Sequence, residues 1–191
     1  LTVSGSPHEQ SKETTKSVMW TVIIALMPAF LVGIYFFGMD ALLVTLTSVA
    51  ACLLFEWAIQ KFLIKGGTTI NDGSAIITGL LLAFNLPSSV PLWIVALGAL
   101  FAIGVGKMSY GGLGKNPFNP ALVGRAFLFL SFPTEVAISE WPLPQPIFSH
   151  AITDVLTGPT PLIALKNGQA VDAWNMFLGA TGGSMTEYWL R

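Results

Sequence analysis

The sequence contains few charged residues and a single cysteine. Only 10% of its 191 residues are Asp, Glu, Lys or Arg, whereas a soluble domain carries about 25%, so the charges are too sparse to cover a surface exposed to water. The net charge of −1 and the lack of a basic cluster argue against a nucleic-acid-binding surface. The lone Cys52 excludes a disulfide framework and a cysteine-based iron or zinc site within this chain.

Apolar residues are abundant instead. They make up 53% of the chain, with 13 Phe and 6 Trp, which is too much apolar surface for a disordered protein. A helix needs about 20 mostly apolar residues to cross a bilayer, and Val18–Met39 supplies such a run without a charge. We therefore predict an all-α polytopic membrane protein. Its five membrane segments, two long and three short or broken, lie near residues 18–39, 41–64, 73–86, 92–106 and 120–132.

The lysines provide an independent test of this arrangement. Alternation of five segments puts six of them on one side of the membrane, and positive residues near span ends mark the cytoplasmic side. We expect the N-terminus on that side and the loop over residues 133–173 on the extracytoplasmic side. Residues 174–191 then begin a further membrane segment, and we expect the chain to be part of a longer protein. The six lysines are Lys12, Lys16, Lys61, Lys65, Lys107 and Lys115.

Two glycine-rich breaks, Gly66–Gly73 and Gly111–Pro120, interrupt the apolar pattern. Non-helical backbone at membrane depth is tolerated where it lines a cavity or is buried in protein, and half-helix ends bind ions and ligands in transporters. An Asn or Asp precedes the next apolar run in each break and is suited to cap a helix. The residue pattern supports a ligand site and an ordinary capped turn equally. The candidate side chains are Asn71, Asp72, Asn116 and Asn119.

Two charged residues fall within apolar segments. Arg125 lies about one and a half turns into a helix and is costly there unless it is paired. It either pairs with a carboxylate, Asp72 or Glu56, or contacts a ligand phosphate or ring oxygen, and we favour the carboxylate pair. Glu56 offers a proton or cation site, but its position near the end of the second segment favours an interfacial side chain that reaches water.

The remaining candidates divide into ordinary residues and one unusual turn. His8 and His150 have no partners at ligand spacing, so we predict no metal site, and Cys52 is expected to pack as a small hydrophobe. In the loop after the fifth segment, two prolines and a glycine constrain Thr157 and Thr160. Without further context, this turn predicts only a rigid loop.

The order of these motifs resembles the RnfD/NqrB family of flavin-carrying membrane subunits. The flavinylation motif of that family reads Ser/Thr-Gly-Ala-Thr, and its last threonine is esterified to the phosphate of FMN. Thr160 is similar to that residue by position, with Pro159 in place of the usual alanine. The resemblance covers almost the whole chain and rests on Ser4–His8, Ala25–Ala29, Asp72–Ala83, Asn116–Ala121 and Thr157–Leu162.

This resemblance implies a membrane subunit of an ion-translocating ferredoxin:NAD oxidoreductase (Rnf) complex in a bacterial or archaeal cytoplasmic membrane. The implied fold is a urea-transporter-like helical bundle of two repeated halves, of which the chain covers the first. Electrons pass through FMN, held covalently by Thr160, and their flow is coupled to Na⁺ or H⁺ movement. The flavin carries out the redox chemistry, so no catalytic side chain is expected in this chain.

The resemblance also implies partners and a second flavin. Other Rnf subunits are expected, together with a flavin transferase that recognises the attachment motif through Asp154, Thr157 and Gly158. Riboflavin is implied near the broken segments, with Asn71, Asp72, Asn116, Asn119 and Arg125 as candidate ligands for a flavin or an ion. Two alternatives are an NqrB-type subunit of a Na⁺-pumping NADH:quinone reductase and a urea-transporter-like channel without a redox role.

Overall fold

The computed structural model describes residues 14–64, 69–136, 141–142, 157–158, 165–168 and 174. Within this part of the chain, three helices are long and apolar enough to cross a membrane, namely Thr15–Tyr35, Phe37–Ile64 and Leu92–Tyr110. Two shorter apolar helices, Ser74–Phe84 and Pro120–Ser131, accompany them. The prediction of an all-α polytopic membrane protein is confirmed.

The first long helix, α1 (Thr15–Ala58), is broken at one residue. Gly38 has φ 70° and ψ −153°, a backbone conformation that is essentially restricted to glycine. The two halves of α1 run antiparallel. The evidence is that residues near its N-terminus and residues near its C-terminus both contact residues 69–73. A Cβ placed on Gly73 would lie 3.2 Å from Ile23, and Thr69 donates a hydrogen bond to Glu56. Asp40, which lies between the predicted segments 18–39 and 41–64, is helical.

Two stretches of π-helix extend the long helices. The chain continues from α1 into a π-helix over Ile59–Ile64. The helix α3 (Leu92–Phe101) likewise continues as a π-helix over Ala102–Lys107 and then as a 3₁₀ turn over Met108–Tyr110. The fourth segment is thus longer than the expected 92–106. π-Helical turns are rare and are frequently found at functional sites.

Two short helices complete the bundle, and a predicted capping residue lies at or just before the start of each. A 3₁₀ turn, Ile70–Asp72, leads into α2 (Ser74–Phe84), where Asp72 Oδ1 accepts the Ser74 N–H at 2.8 Å. Asn119 Oδ1 accepts the Ala121 N–H at 3.0 Å at the start of α4 (Pro120–Ser131). The 11 residues of α2 span only about 16 Å, so this helix is too short to cross a hydrocarbon layer of about 30 Å.

Glycines allow the helices of the bundle to approach closely. A Cβ on Gly79 of α2 would lie 2.7 Å from the Val49 Cα of α1, and a Cβ on Gly98 of α3 would lie 2.5 Å from the Leu128 side chain of α4. Small residues at such contacts are typical of helix packing in membranes. The fully buried apolar side chains include Cys52, Ala75, Leu82, Ile94, Val95, Ile103 and Leu128.

The helix ends identify two ends of the bundle. We call the end formed by the start of α1, residues 56–64, 69–74 and 106–120 the lysine-bearing end, because Lys16, Lys61 and Lys115 lie there. Gly106 packs against Pro120, which joins the α3 and α4 sides of this end. At the opposite end, the Trp93 and Phe132 rings meet edge to face with centroids 5.3 Å apart. The five described helical segments therefore alternate in direction.

The chain beyond α4 is described only in short pieces. A one-turn helix, α5 (Pro133–Val136), follows α4 directly. Two short strands, β1 (Trp141–Pro142) and β2 (Thr157–Gly158), pair in antiparallel register with Trp141 opposite Gly158 and Pro142 opposite Thr157. Asp154 and Thr160 of the attachment motif lie outside the described residues.

Candidate functional site

A buried ion pair lies at the lysine-bearing end of the bundle. Lys107 Nζ lies 2.6 Å from Glu56 Oε2, and the two side chains are 2% and 0% exposed. The prediction that Glu56 reaches water at the interface is therefore wrong. The π-helix beyond Ala58 continues the span past Glu56, which places this carboxylate inside the bundle. Lys107, expected in a loop, ends the second π-helix and points its ammonium group inwards.

Polar side chains surround both members of the pair. Glu56 Oε1 accepts hydrogen bonds from Gln60 Nε2 and from the Thr69 hydroxyl, each at 3.2 Å. Gln60 Oε1 accepts the Thr69 backbone N–H at 3.0 Å. Lys107 Nζ also donates to Ser74 Oγ at 2.6 Å. Within the described residues, every buried side-chain nitrogen and oxygen has a hydrogen-bond partner.

This network reaches the surface through Asp72 and Thr69. The Ser74 hydroxyl donates to Asp72 Oδ1 at 2.6 Å, and Asp72 is half-buried whereas Thr69 is exposed. We call Glu56, Gln60, Thr69, Asp72, Ser74 and Lys107 the polar network. Two carboxylates and one ammonium group give it a formal charge of −1. It therefore combines a fully buried carboxylate with a continuous hydrogen-bonded connection to the lysine-bearing end.

Buried charges of this kind are costly in a membrane protein. Desolvation of an ion pair can exceed the Coulombic attraction, and ionisable residues within membrane segments mark functional sites by default. Sequence patterns alone did not identify Lys107, Ser74, Gln60 and Thr69 as members of one site. The sequence did contain a signal for the pair: Glu56 lies within one apolar segment, and Lys107 lies at the end of another.

Arg125 does not pair with a carboxylate in the described part of the chain. Its Nη1 donates to the backbone oxygen of Asn85 at 2.9 Å and to the Asn85 Oδ1 at 2.8 Å. The expected pair with Asp72 or Glu56 is therefore wrong. Asn85 follows the C-terminus of α2, whereas Asp72 precedes its N-terminus, so the helix length of about 16 Å separates the two positions. The guanidinium instead neutralises the negative end of the α2 dipole.

The remaining candidates from the glycine-rich breaks serve mainly local roles. Asp72 and Asn119 cap helices, as described above. Asn116 Nδ2 donates to the Phe118 carbonyl oxygen at 2.9 Å, and Asn71 is exposed. These four residues lie at the lysine-bearing end, away from the contact between Arg125 and Asn85. The described residues contain no cluster of His, Cys, Asp and Glu that could hold a metal ion.

An apolar cavity of about 200 Å³ lies at the opposite end of the bundle. It is formed where the Gly38 break meets the end of α2, and its walls include Phe30, Phe37, Val44 and Phe84. Thr45 also lines it, but its hydroxyl donates to the Ala41 carbonyl oxygen at 2.7 Å. The cavity therefore offers apolar volume and little polar chemistry.

Comparison with known proteins gives a consistent result over the full chain. A family model described as the NQR2, RnfD, RnfE family matches residues 2–190. A subunit of the Na(+)-translocating ferredoxin:NAD(+) oxidoreductase complex of Acetobacterium woodii is 44% identical over 185 residues, which are 95% of this chain and 55% of that protein. The corresponding subunit of the proton-translocating ferredoxin:NAD(+) oxidoreductase complex of Clostridium ljungdahlii is 41% identical, with 98% of this chain and 58% of that protein covered.

A more distant relative shows the same partial coverage. A subunit of the ion-translocating oxidoreductase complex of Pectobacterium carotovorum is 37% identical over 168 residues, which are 83% of this chain and 47% of that protein. The chain thus spans about half the length of the curated relatives it matches.

Proposed function

The chain belongs to the NQR2, RnfD, RnfE family, and we propose that it forms part of the RnfD-type subunit of an ion-translocating ferredoxin:NAD oxidoreductase complex. The observation that carries this proposal is the identity of 44% and 41% to two proteins named as subunits of such complexes. Those names also favour a ferredoxin-linked complex over an NADH:quinone reductase. The partners are then the other subunits of the complex, and the location is a bacterial or archaeal cytoplasmic membrane.

We further propose that Thr160 carries FMN through a phosphoester bond. The Thr-Gly-Pro-Thr turn keeps the acceptor hydroxyl of the family motif. Pairing of Thr157–Gly158 with Trp141–Pro142 supports the proposal, because it holds the backbone just before the acceptor in a fixed arrangement. When attached, FMN supplies the one-electron and two-electron redox chemistry, and the protein supplies its position. A flavin transferase that recognises Asp154, Thr157 and Gly158 makes the bond.

The test is flavin fluorescence of the protein on a denaturing gel. Full-length protein from cells that co-express the transferase should give a fluorescent band. Thr160→Ala should abolish the fluorescence, while Thr134→Ala, the same change at an exposed threonine outside the motif, should retain it. A colourless wild-type band, or full fluorescence in Thr160→Ala, would refute attachment at this residue.

The lysine-bearing end is proposed to face the cytoplasm, and Thr160 the opposite side. Support comes from Lys16, Lys61 and Lys115, which share one end of the bundle, as the positive-inside rule requires. The Lys61 ammonium also lies 4.7 Å from the Trp57 ring centroid, a cation–π contact that is suited to the membrane–water interface. Thr160→Cys should react with a membrane-impermeant thiol reagent added outside intact cells. Reaction only after the cells are broken would reverse the proposed orientation.

Ion translocation is proposed to use the polar network. The alternative function, a channel without a redox role, also requires charged groups inside the bundle. The Glu56–Lys107 pair is the observation that favours this alternative. The channel has no use for a flavin on Thr160, so the gel experiment separates the two functions. The relatives' names include both a Na⁺ and a proton complex, and both ions fit the proposal.

A second flavin, riboflavin, is proposed at the lysine-bearing end, between the segments that carry Asn71 and Asn116. Arg125 does not fit as its ligand, because this guanidinium is engaged by Asn85 at the far end of α2. Asp72 and Asn119 use side-chain oxygens for helix caps, so they fit poorly as well. The test is the amount of flavin released by acid from Thr160→Ala protein. Release of none would refute the second site.

A further inference from the structure

The polar network contains an ordered chain of proton donors and acceptors. Lys107 Nζ donates to Ser74 Oγ at 2.6 Å, and the Ser74 hydroxyl donates to Asp72 Oδ1 at 2.6 Å. Both links are short, and both hydrogen bonds point from the buried ammonium towards the half-buried carboxylate. At the inner end, Lys107 Nζ lies 2.6 Å from Glu56 Oε2. A hydroxyl between a base and an acid can pass a proton in either direction.

We propose that Asp72, Ser74 and Lys107 form a proton path that loads the buried Glu56 carboxylate from the lysine-bearing end. This inference deepens the proposed use of the polar network in ion translocation and rests on that proposal, but it does not depend on the flavin. It assigns a site at which one proton enters the bundle and is held away from water.

The transfer conserves protons and charge at each step. A proton on Lys107 Nζ moves to Glu56 Oε2, which leaves a neutral amine and a neutral carboxylic acid. A hydronium ion from the solvent protonates Asp72 and leaves water. The Ser74 hydroxyl, which donates to Asp72 in the structure, turns its hydrogen towards the neutral Lys107 amine. Asp72 then passes a proton to Ser74 Oγ while the Ser74 hydroxyl proton moves to Lys107. The result is a protonated Glu56, an ammonium on Lys107 and an ionised Asp72. One proton is gained, and the network charge changes from −1 to zero.

The surroundings of the pair leave few other groups to accept this proton. The Cys52 thiol lies on α1 near both charges and is fully buried. On α4, the charged residue is Arg125, and its guanidinium is bound to Asn85 at the other end of α2. Gln60 and Thr69 complete the shell around Glu56, but their hydrogen bonds to it are 3.2 Å long, against 2.6 Å for each link through Ser74, and neither connects it to a second ionisable group. Among the described residues, Asp72 is thus the carboxylate that connects the pair to the surface.

Two variants interrupt the path without removing the ion pair. Ser74→Ala deletes the hydroxyl link but keeps the backbone N–H that Asp72 caps, and Ser74→Thr restores a hydroxyl as its matched control. Asp72→Asn keeps an oxygen that can accept both Ser74 hydrogen bonds, but it cannot carry the proton. Because the two variants change different atoms, loss of folding in one leaves the other as the test.

The experiment is a rapid pH drop on full-length protein, followed by time-resolved infrared spectroscopy. The signal is the carboxylic acid band that is present in the wild type and missing in Glu56→Gln. Ser74→Ala and Asp72→Asn should slow its appearance about 100-fold, the scale of a lost proton-transfer group, while Ser74→Thr keeps a rate within a few-fold of wild type. Melting curves of each variant confirm that the bundle is folded.

Two outcomes would overturn the proposal. One is a wild-type rate in both folded variants, because the proton would then reach Glu56 by another path. The other is the lack of any Glu56-dependent band in the wild type. The same measurement on Thr160→Ala protein separates the path from the flavin: an unchanged band there supports the path even if attachment at Thr160 is refuted.

Discussion

Removal of one member of the Glu56–Lys107 pair should destabilise the bundle far more than removal of both. Lys107→Met leaves a fully buried carboxylate whose Oε2 loses its ammonium partner at 2.6 Å. Breaking a buried pair costs about 3–5 kcal/mol in soluble proteins. Helix contacts in membranes are weaker, with measured couplings averaging about 0.6 kcal/mol. We use the larger value, because the cost of an unpaired buried charge applies in a membrane protein as well as in a soluble one.

We therefore expect Lys107→Met to lower the free energy of unfolding by about 3 kcal/mol. Glu56→Leu should cost a similar amount, because it leaves an unpaired ammonium beside Ser74. The double variant Glu56→Leu/Lys107→Met removes both charges and replaces them with apolar groups of similar volume. Such replacements are neutral or stabilising, although Gln60 and Thr69 then lose an acceptor at 3.2 Å. We expect the double variant within about 1 kcal/mol of wild type.

The assay is reversible unfolding of full-length protein in mixed micelles, with the four proteins compared as a double-mutant cycle. The coupling free energy should be several kcal/mol, because two large single penalties nearly vanish in the double variant. Additive single effects would show that the two side chains do not depend on one another. That result would refute both the ion pair and the network built on it.

The other predictions concern the backbone and the second charged contact, and unfolding measurements check all of them. Gly79→Ala should cost about 1–3 kcal/mol through overpacking, because its Cβ would lie 2.7 Å from a backbone atom. Gly33→Ala, with nothing within 4 Å of its Cβ, should be neutral or stabilising by up to about 1 kcal/mol. Gly38→Ala also has free space, yet its positive φ should cost about 1–3 kcal/mol; a neutral result would contradict the helix break. Arg125→Met should cost about 1–3 kcal/mol by exposing an uncapped carbonyl, and equal stability would argue against its contact with Asn85.

The sequence predicted the features that depend on local chemistry. Apolar runs located the helices. Asn119 was identified as the cap of α4, and Asp72, one residue before the cap position of α2, also binds the first N–H of its helix, because such contacts require only a few adjacent residues. The sequence placed a break between the first two segments at Asp40, whereas the structure has it two residues earlier, at Gly38. The charge marked the boundary, but the positive φ of the break selects the glycine.

The partners of the buried charges could not be predicted, because they depend on helix register. Lys107 is 51 residues away from Glu56 along the chain, and whether they meet depends on two helix extensions that no periodicity predicted. Arg125 was expected to pair with a carboxylate. Its guanidinium instead binds the oxygens of Asn85 at the C-terminal end of α2. Charge alone predicts that the Arg125 guanidinium binds some hydrogen-bond acceptor. Which acceptor it reaches depends on how α2 packs against α4, and in the structure that acceptor is Asn85.

The π-helices have a consequence for how this protein tolerates changes of length. Gln60 and Lys107, two members of the polar network, each lie on one of them. A π-turn closes its hydrogen bond over one more residue than an α-turn. Deleting one residue from such a segment allows an α-turn to form and leaves the helix beyond it close to its original register, whereas the same deletion in a regular α-helix rotates everything beyond it by about 100°. The charged contact at 2.6 Å thus depends on residue count as well as residue identity. A single-codon deletion within a π-helix should therefore be tolerated better than the same deletion in the α-helical part of either span, although both leave the hydrophobic character of the spans intact.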